Sequence, residues 1–391
     1  MSRRLIALCG LAALADGYDV QVLGLAVPGM AQAMHVVPAA FTGVFTASLT
    51  GMACGAVGLA PLADRYGLRR LLLALLTLIS IATAGSLLVR TPQGLAIWRF
   101  FAGLGLGALV PVVIALAVRH ADPAKRNFQV TLMVTCTALG SFLAGMVAPM
   151  VESRWQWQGL FGLGALLPLP ILFLVATGLP QDTPAEASEV RRPSLSGVDS
   201  LFKPELRRRT IVLWTLFWVS LFAIYALISW LPSLLTAAGW ERAAAQRAAG
   251  FMALGSVMGG PLLASLVDRG HGRWAPAVAY AVAALALVPF VTGSVPAAWI
   301  VPVLVLIGAC AMGSQQALGA FSALHYPEGL RATGTGWASG IGRFGGMVGP
   351  AVLGMLLAHG TAPGYVLGVL ALPLLLAAVA VILLPALPAR N

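Results

Sequence analysis

The chain has 391 residues, of which 59% are hydrophobic and only 9% are charged, and its mean hydropathy is +0.90. Since a soluble globular domain carries about 25% charged residues, this composition excludes an ordinary soluble protein and indicates an integral membrane protein. The net charge of +11 does not by itself indicate a nucleic-acid partner, because basic residues also set the orientation of membrane proteins.

Twelve apolar segments follow one another along the chain, each close to the roughly 20 residues that a membrane-spanning helix requires. A polar stretch at 181–209, rich in Pro, Ser, Glu and Arg, separates the first six from the last six. We therefore expect an all-α integral membrane protein with twelve transmembrane helices in two six-helix bundles, at 1–180 and 210–391, joined by a cytoplasmic linker at 181–209. The expected spans are 5–27, 38–62, 70–90, 93–118, 127–151, 157–180, 210–237, 244–267, 275–293, 297–323, 331–357 and 364–386.

The basic residues are concentrated in alternate loops. With the amino terminus inside, most of the 24 Lys and Arg residues fall on the cytoplasmic side, and only Arg90, Arg154, Arg242 and Arg247 fall outside. An excess of Lys and Arg in cytoplasmic loops is the usual determinant of orientation. We therefore expect a multi-pass protein of the cell inner, or plasma, membrane with both termini in the cytoplasm. The basicity then reports topology, not a nucleic-acid partner.

The first span carries two carboxylates, Asp16 and Asp19, near its middle. An ionised Asp at the bilayer centre costs about 2.5–3.5 kcal/mol on insertion scales, so such residues are usually kept for transport, gating or proton handling. A spacing of three residues places both side chains on one helix face, where two like charges favour the binding of a proton. We therefore expect proton coupling here. The alternative is a structural pair held by neighbouring donors such as Arg99.

Two arginines lie inside later spans. Arg99 in span four is positioned to pair with Asp16 or Asp19, as a coupling residue or as a simple ion-pair partner. Arg343 stands about twelve residues into span eleven, which is about 18 Å along a helix. A guanidinium at that depth binds a carboxylate through two parallel hydrogen bonds, so we expect Arg343 to anchor an anionic substrate. The alternative is a structural partner for backbone carbonyls.

The two halves of the chain resemble each other at a nearly constant offset. Ala144-Gly-Met-Val-Ala-Pro149 recurs as Gly345-Gly-Met-Val-Gly-Pro350, 201 residues later. Asp64-Arg65 recurs as Asp268-Arg269, 204 residues later. A parallel internal repeat of this kind is typical of transporters built from two bundles.

Several motifs spread over nearly the whole chain carry a resemblance to a known family. The chain resembles the major facilitator superfamily and, within it, the aromatic acid/proton symporter family of 4-hydroxybenzoate- and benzoate-type transporters. The resemblance implies that Asp16 and Asp19 are both needed for transport and that Arg99 takes part in coupling. The motifs are Asp16-Gly-Tyr-Asp19 with Gly24 and Pro28, Asp64-Arg-Tyr-Gly-Leu-Arg-Arg70, Arg99-Phe-Phe-Ala-Gly-Leu-Gly-Leu-Gly107 leading to Pro111, Tyr326-Pro327 with Arg331-Ala-Thr-Gly334, and Gly340-Ile-Gly-Arg343 running into Gly349-Pro350.

A cytoplasmic gate is expected from the loops of both halves. The loop after span two is expected to form a lock in the outward-open state that breaks in the inward-open state, and the loop after span eight a partner lock. The alternative is a set of basic loops that only fix topology. At the position of Arg119 the family usually has Glu. Because the charge is reversed here, the gate interaction of relatives at this position is not carried over to this chain. The expected gate residues are Asp64, Arg65, Arg69, Arg70, Asp268, Arg269 and Arg331.

Aromatic and amide side chains in the second half are candidates for lining the substrate. Tyr225 and Phe222, with Trp337, are expected to form an aromatic pocket, although such rings also occur in ordinary helix packing. Gln315 and Gln316 in span ten are expected to hydrogen-bond a ring hydroxyl. Bonding between helices is the equal alternative.

The sequence thus predicts proton-coupled secondary active uptake of a small aromatic carboxylate by alternating access. The partners are the anionic substrate, protons and the lipid bilayer, and the carrier works as a monomer. No Walker-type motif, nucleophile–base set or metal-ligand set is present, so we expect no enzyme activity, no metal and no cofactor, with the proton gradient as energy source. The alternatives are a transporter of an aliphatic mono- or dicarboxylate and a drug/proton antiporter. A receptor on a transporter fold is disfavoured by the short linker.

Overall fold

The computed structural model describes residues 3–119, 126–178 and 198–385. Within these ranges the regular structure is helical, and no strand occurs in them. The chain divides into two compact units. The first holds Met1–Val190 together with Trp240–Gly250, and the second holds Arg191–Gly239 and Phe251–Asn391.

The helices are numbered here in chain order. The first unit contains α1 (Arg3–Ala33), α2 (Thr42–Cys54), α3 (Ala63–Tyr66), α4 (Leu68–Gly85), α5 (Pro92–Arg119), α6 (Arg126–Leu166) and α7 (Pro168–Gly178). Helix α10 (Arg242–Leu266) begins in the first unit and continues in the second. The second unit also contains α8 (Val198–Leu201), α9 (Pro204–Ala237), α11 (Trp274–Val291), α12 (Ala297–Ile307), α13 (Gly313–Ala323), α14 (Arg331–Ala358), α15 (Pro363–Val369) and α16 (Ala371–Leu383).

Eleven helical stretches among the described residues are long and apolar enough to cross a membrane. Ten of them overlap predicted spans one to four and seven to twelve. The other, Val130–Gly178, has 49 residues and covers predicted spans five and six together. A straight helix of that length would extend about 74 Å, more than twice the roughly 30 Å of the hydrocarbon core.

Two hydrogen bonds show that this long stretch does not run straight. The Ser141 hydroxyl donates to the Gly17 carbonyl at 2.9 Å, and the Tyr18 hydroxyl donates to the Leu160 carbonyl, also at 2.9 Å. Ser141 and Leu160 therefore meet neighbouring residues of α1, although 19 helical residues would separate them by about 28 Å. The chain must turn back between them. Gln156, with φ of 53° and ψ of −162°, is the non-helical residue where it breaks.

Helix α1 is enclosed on nearly all sides in the first unit. Between Ala15 and Ala31 every residue except Val20 is buried. A helix that is apolar all round is expected to be buried all round. The two carboxylates of the first span are therefore held in the protein interior.

The same helix contacts recur in both units. An added Cβ at Gly140 of α6 would lie 2.0 Å from the Leu14 carbonyl oxygen of α1. At Gly345 of α14, 205 positions later, it would lie 2.1 Å from the Trp218 carbonyl oxygen of α9, 204 positions after Leu14. Two helices approach this closely only where the side chain is absent. The structure therefore shows an internal repeat with an offset of 204–205 residues. This agrees with the predicted match of Asp64 to Asp268, whereas the predicted match of Ala144 to Gly345, at 201, was wrong by about one helical turn, because Gly345 corresponds to Gly140.

Candidate functional site

The centre of the first unit holds a buried ion pair. Arg99 and Asp19 are each 1% exposed, and the Nη1 atom of Arg99 lies 2.5 Å from Oδ1 of Asp19. The Thr83 hydroxyl donates to Oδ2 of Asp19 at 2.9 Å, and Nη2 of Arg99 donates to the Asp19 backbone carbonyl at 3.4 Å. Asp19 thus has a cation on one carboxylate oxygen and a neutral hydroxyl on the other.

The guanidinium of Arg99 has a further contact and spare hydrogen-bonding capacity. Its central carbon lies 5.8 Å from the centre of the Phe161 ring, within the range of a cation–π interaction. Its Nε has no hydrogen-bond partner among the described residues. A buried cation is stable only where an anion or other acceptor stays near it. A change in the charge of Asp19 therefore changes the electrostatic stabilisation of Arg99 directly.

Asp16 is also buried, at 3% exposure, one turn before Asp19 on α1. The backbone of this turn is held by the contacts of Gly17 and Tyr18 with the two arms of α6, which are the parts before and after Gln156. An added Cβ at Gly17 would lie 1.8 Å from the Thr137 carbonyl oxygen, so α1 and α6 touch backbone to backbone here. The carboxylates consequently stand on a rigid element.

In the second unit, Arg343 lies on α14 and is partly buried. The residues on either side of it pack on α9. An added Cβ at Gly342 would lie 2.8 Å from a Leu221 methyl group, and one at Gly346 would lie 2.7 Å from the Tyr225 ring. The three small residues Gly342, Gly345 and Gly346 therefore fix the register of α14 on α9 around Arg343.

The predicted aromatic residues fall into two stacked pairs along α9. Trp218 stacks on Phe222 with ring centres 5.5 Å apart, and Trp214 stacks on Trp337 of α14 at 6.1 Å. Tyr225 instead packs against the Gly346 backbone. The structure thus brings Phe222 and Trp337 into the same helix pair, each through a tryptophan partner that the prediction did not include.

The two consecutive glutamines of α13 point to different helices. The Ser220 hydroxyl of α9 donates to Oε1 of Gln315 at 2.7 Å. Gln316 packs against α10, because an added Cβ at Gly260 would meet its Oε1 at 2.0 Å. Both are partly exposed. The structure therefore joins Gln315, but not Gln316, to the α9 side of the unit.

The predicted gate residues of the first unit lie on two consecutive helices, Asp64 and Arg65 on α3 and Arg69 and Arg70 in the first turn of α4. Arg69 donates from Nη2 to the Ala176 carbonyl at 2.6 Å and from Nε to the Val175 carbonyl at 3.4 Å. These are carbonyls at the end of α7, where a cation is favourable. Arg65 lies 5.3 Å from the centre of the Tyr66 ring and, like Arg70, is exposed. The side chain of Asp64 lies outside the described part of the structure.

The corresponding residues of the second unit are Asp268 and Arg269, both exposed on a π-helical turn, Val267–His271. Arg331 begins α14, and its Nε donates to the Tyr326 carbonyl at 3.3 Å. The Tyr326 phenol donates to Thr210 at 3.3 Å, and burial raises the pKa of that phenol. Arg331 is thus tied to the residue before Pro327, inside the motif that carries the resemblance.

A polar cluster in the first unit was missed by sequence reasoning. Nη1 of Arg242 lies 3.0 Å from Oε1 of Glu152, and Nε2 of Gln246 donates to Oε2 of Glu152 at 2.5 Å. Gln246 also donates to the Leu25 carbonyl at 3.2 Å, and Gln32 accepts from Arg242. The sequence signal for this cluster was Glu152, an acidic residue at the edge of the apolar segment 127–151.

Two further sets of buried polar residues carried no distinctive sequence signal. Gln21 on α1 is 0% exposed, and neither amide atom has a hydrogen-bond partner among the described residues. In the second unit, Ser220 and Tyr280 are both 0% exposed, and their hydroxyl oxygens are 2.7 Å apart. Single polar residues of this kind in apolar segments are common, and only the folded structure shows which of them meet.

Comparison with solved structures identifies the fold. The chain superimposes on a D-xylose–proton symporter with a TM-score of 0.77 at 16% identity, covering 98% of each chain. It superimposes on the nucleoside transporter NupG with a TM-score of 0.77 at 15% identity, covering 97% of this chain and 98% of the other. At these identities the likeness establishes the architecture alone.

Comparison with characterised sequences gives closer relatives. The gallate transporter of Pseudomonas putida is 30% identical over 97% of this chain and 90% of its own length. The 3-(3-hydroxyphenyl)propionate transporter of Escherichia coli is 32% identical over 97% and 93%, and the 4-hydroxybenzoate transporter of Pseudomonas aeruginosa is 29% identical over 97% and 92%. These relatives confirm the resemblance to aromatic acid transporters. The family model for the Major Facilitator Superfamily matches residues 9–350, and the chain belongs to this superfamily of membrane transporters, which are not enzymes.

Proposed function

We propose that the protein takes up a small aromatic carboxylate together with protons, by alternating access and as a monomer. The transported acid is expected because the relatives at about 30% identity are transporters of gallate, hydroxyphenylpropionate and 4-hydroxybenzoate. The energy source is the proton gradient, and no cofactor takes part.

The observation that carries the coupling proposal is the buried pair of Asp19 and Arg99. Both side chains are 1% exposed inside the first unit, with Asp16 buried one turn away. Burying these charges costs free energy, so such residues are usually kept because the protein uses them. Protonation of the aspartate pair removes one negative charge, weakens the hold on Arg99 and changes the packing around α1. Proton uptake is thereby linked to a structural change.

Arg343 supplies the second part of the proposal. It is a partly buried cation on α14, in a span, with aromatic rings along the neighbouring helix α9. The substrate carboxylate binds the guanidinium, and the ring packs among apolar side chains. When both solutes are bound, the buried charges are neutralised, and the loaded carrier changes from the outward-open to the inward-open state.

The proposed topology has twelve spans in the inner membrane, with both termini in the cytoplasm. The turn at Gln156 supports it, because the arms of α6 on its two sides contact the same turn of α1. The long stretch Val130–Gly178 then supplies two spans, and the eleven helical stretches supply twelve spans in all.

The test is uptake into proteoliposomes of labelled benzoate, 4-hydroxybenzoate and gallate, with and without an inward proton gradient. We expect accumulation that depends on the gradient. Asp19→Asn should abolish accumulation of the acid against its own concentration gradient. Arg343→Gln should raise the KM for every acid by at least about tenfold, since a charge-assisted hydrogen bond is lost.

Matched controls are available on exposed charged residues of the same types. Asp199→Asn and Arg208→Gln remove one charge each at exposed positions and should leave uptake unchanged. Uptake of succinate or acetate in place of the aromatic acids would favour the aliphatic alternative. Unchanged uptake by Arg343→Gln, or export of an apolar cation, would contradict the anchor and favour a drug/proton antiporter.

A further inference from the structure

Three polar side chains from three helices meet inside the second unit. Ser220 comes from α9, Tyr280 from α11 and Gln315 from α13. The Tyr280 and Ser220 hydroxyl oxygens are 2.7 Å apart, and the Ser220 hydroxyl is 2.7 Å from Oε1 of Gln315. Ser220 and Tyr280 are fully buried, whereas Gln315 is partly exposed. The three therefore form a chain with two buried members and one accessible end.

The hydroxyl protons in this chain have one consistent arrangement. The Tyr280 phenol is 0% exposed, and its hydrogen-bond partner among the described residues is Ser220. Its proton must therefore go to the Ser220 oxygen, because a buried donor without an acceptor is costly. The Ser220 proton is then directed to Gln315, which must present its carbonyl oxygen to receive it.

The opposite orientation of the Gln315 amide is disfavoured by the same count. With the amide turned over, its NH₂ group would donate to Ser220, whose oxygen can also accept from Tyr280. The Ser220 proton would then lose its acceptor on Gln315, and if it turned to Tyr280 the phenol proton would lose its acceptor instead. The Ser220 hydroxyl thus determines which end of the Gln315 amide faces it.

The consequence is that Gln315 presents donors at its accessible end. Its Oε1 is occupied by Ser220, and its Nε2 has no hydrogen-bond partner in the described part of the chain. A primary amide nitrogen carries two N–H groups and no acceptor. A ligand group at this position must therefore offer an acceptor oxygen.

The place of the chain in the repeat also favours a functional use. Ser220 follows Asp16 by 204 positions, the offset that relates the Leu14 and Trp218 contacts of the two units. The polar chain of the second unit thus stands at the repeat position that carries a buried carboxylate in the first. It is also on α9, the helix that packs on the Arg343 segment of α14.

We propose that Gln315 selects substrates with an acceptor oxygen on the ring, and that Ser220 is a positioning residue that sets this selectivity by directing the Gln315 amide. The inference rests on the proposed function, in which Arg343 holds the carboxylate. Nε2 of Gln315 donates to a hydroxyl oxygen of the bound acid. A ring amino group, which offers donors and a poor acceptor, meets donors at Gln315 and is disfavoured.

The test compares hydroxybenzoates with aminobenzoates of the same ring position as ligands of the purified full chain. Dissociation constants are measured by titration calorimetry in detergent for 3- and 4-substituted pairs. The wild-type protein should prefer the hydroxyl compound at one position. In Ser220→Ala the amide is free to turn over, so this preference should fall by roughly fivefold to tenfold. A merely structural role would weaken both ligands equally and leave the ratio unchanged.

Further variants keep the test decisive. Tyr280→Phe leaves the Ser220 proton directed to Gln315 and should preserve the ratio, so it separates the role of the serine from that of the tyrosine. Gln315→Leu removes the donor at a partly exposed position and should abolish the preference for hydroxybenzoate over benzoate. The matched control is Tyr365→Phe, at an exposed tyrosine of α15, which should preserve the wild-type ratio.

The possible failures are distinguishable. If the wild-type protein binds none of the aromatic acids, the proposed function is wrong. If it binds them and the hydroxyl-to-amino ratio is the same in the wild-type, Ser220→Ala and Gln315→Leu proteins, the inference is wrong and the proposed function stands.

Discussion

Asp19 has two partners that respond differently to a proton. The Arg99 guanidinium stabilises the ionised carboxylate much more than the neutral acid, whereas the Thr83 hydroxyl, which donates to the charged form, can also accept from a neutral carboxylic acid. We expect protonation of Asp19 to weaken its pairing with Arg99 and to keep the hydrogen bond with Thr83. The side chain would then hold its position while its charge changes, which is the property a proton-coupling residue requires.

The ion pair predicts a strong dependence of each partner on the other. Asp19→Asn leaves a buried guanidinium without its anion and should lower the free energy of unfolding by about 3–5 kcal/mol. Arg99→Gln should do the same for the carboxylate. The double variant removes both charges and should be more stable than the sum of the single losses implies. Thermal unfolding in detergent measures the cycle. Additive losses would show that the pair contributes no coupling.

At the level of helices, close approach at glycine organises both units. Gly51 meets the Phe100 carbonyl where α2 crosses α5, and Gly255 meets the Val305 carbonyl where α10 crosses α12, each with an added Cβ within 2.2 Å of the oxygen. The glycines are 204 positions apart and their partners 205. Sequence similarity between the halves is faint because most side chains only need to be apolar. The glycines repeat because no other residue fits.

A pair of glycines on α14 tests this argument. An added Cβ at Gly345 would lie 2.1 Å from the Trp218 carbonyl oxygen, whereas at Gly336 it would meet no atom within 4 Å. Gly345→Ala should therefore lower the free energy of unfolding by about 1–3 kcal/mol, as overpacking does. Gly336→Ala, on the same helix, should be neutral or stabilising by up to about 1 kcal/mol. Equal melting temperatures in detergent would contradict the packing argument.

At the level of the whole molecule, the helical fold and its repeat were predictable because span length and apolarity are local properties. The partners of individual polar residues were not. Ser220 meets Gln315 across 95 residues and Arg242 meets Glu152 across 90, and such meetings depend on how the helices pack. Asp16, Asp19 and Arg99 stood out because a charge in a span is rare. Ser220 and Tyr280 did not, since hydroxyls are ordinary there.

The number of spans is a property of the whole chain and has a direct test. If the stretch Val130–Gly178 turns back at Gln156 and crosses twice, the two termini lie on the same side; a single crossing would place them on opposite sides. We expect an epitope inserted beside Gln156 to be accessible on intact spheroplasts, in which the outer face of the inner membrane is exposed. Tags at either terminus should become accessible only after this membrane is permeabilised. An accessible carboxy-terminal tag on intact spheroplasts would contradict the twelve-span topology.

The cluster around Glu152 has a consequence for how the protein is made. Its carboxylate, 9% exposed, is bound by Arg242 and Gln246, and these belong to the segment Trp240–Gly250, which joins the first unit although it is translated after the linker. The ribosome must therefore complete α9 and begin α10 before the first unit acquires the cation for this buried acid. A first half separated at the linker would lack that segment and would hold the Glu152 carboxylate without Arg242 and Gln246.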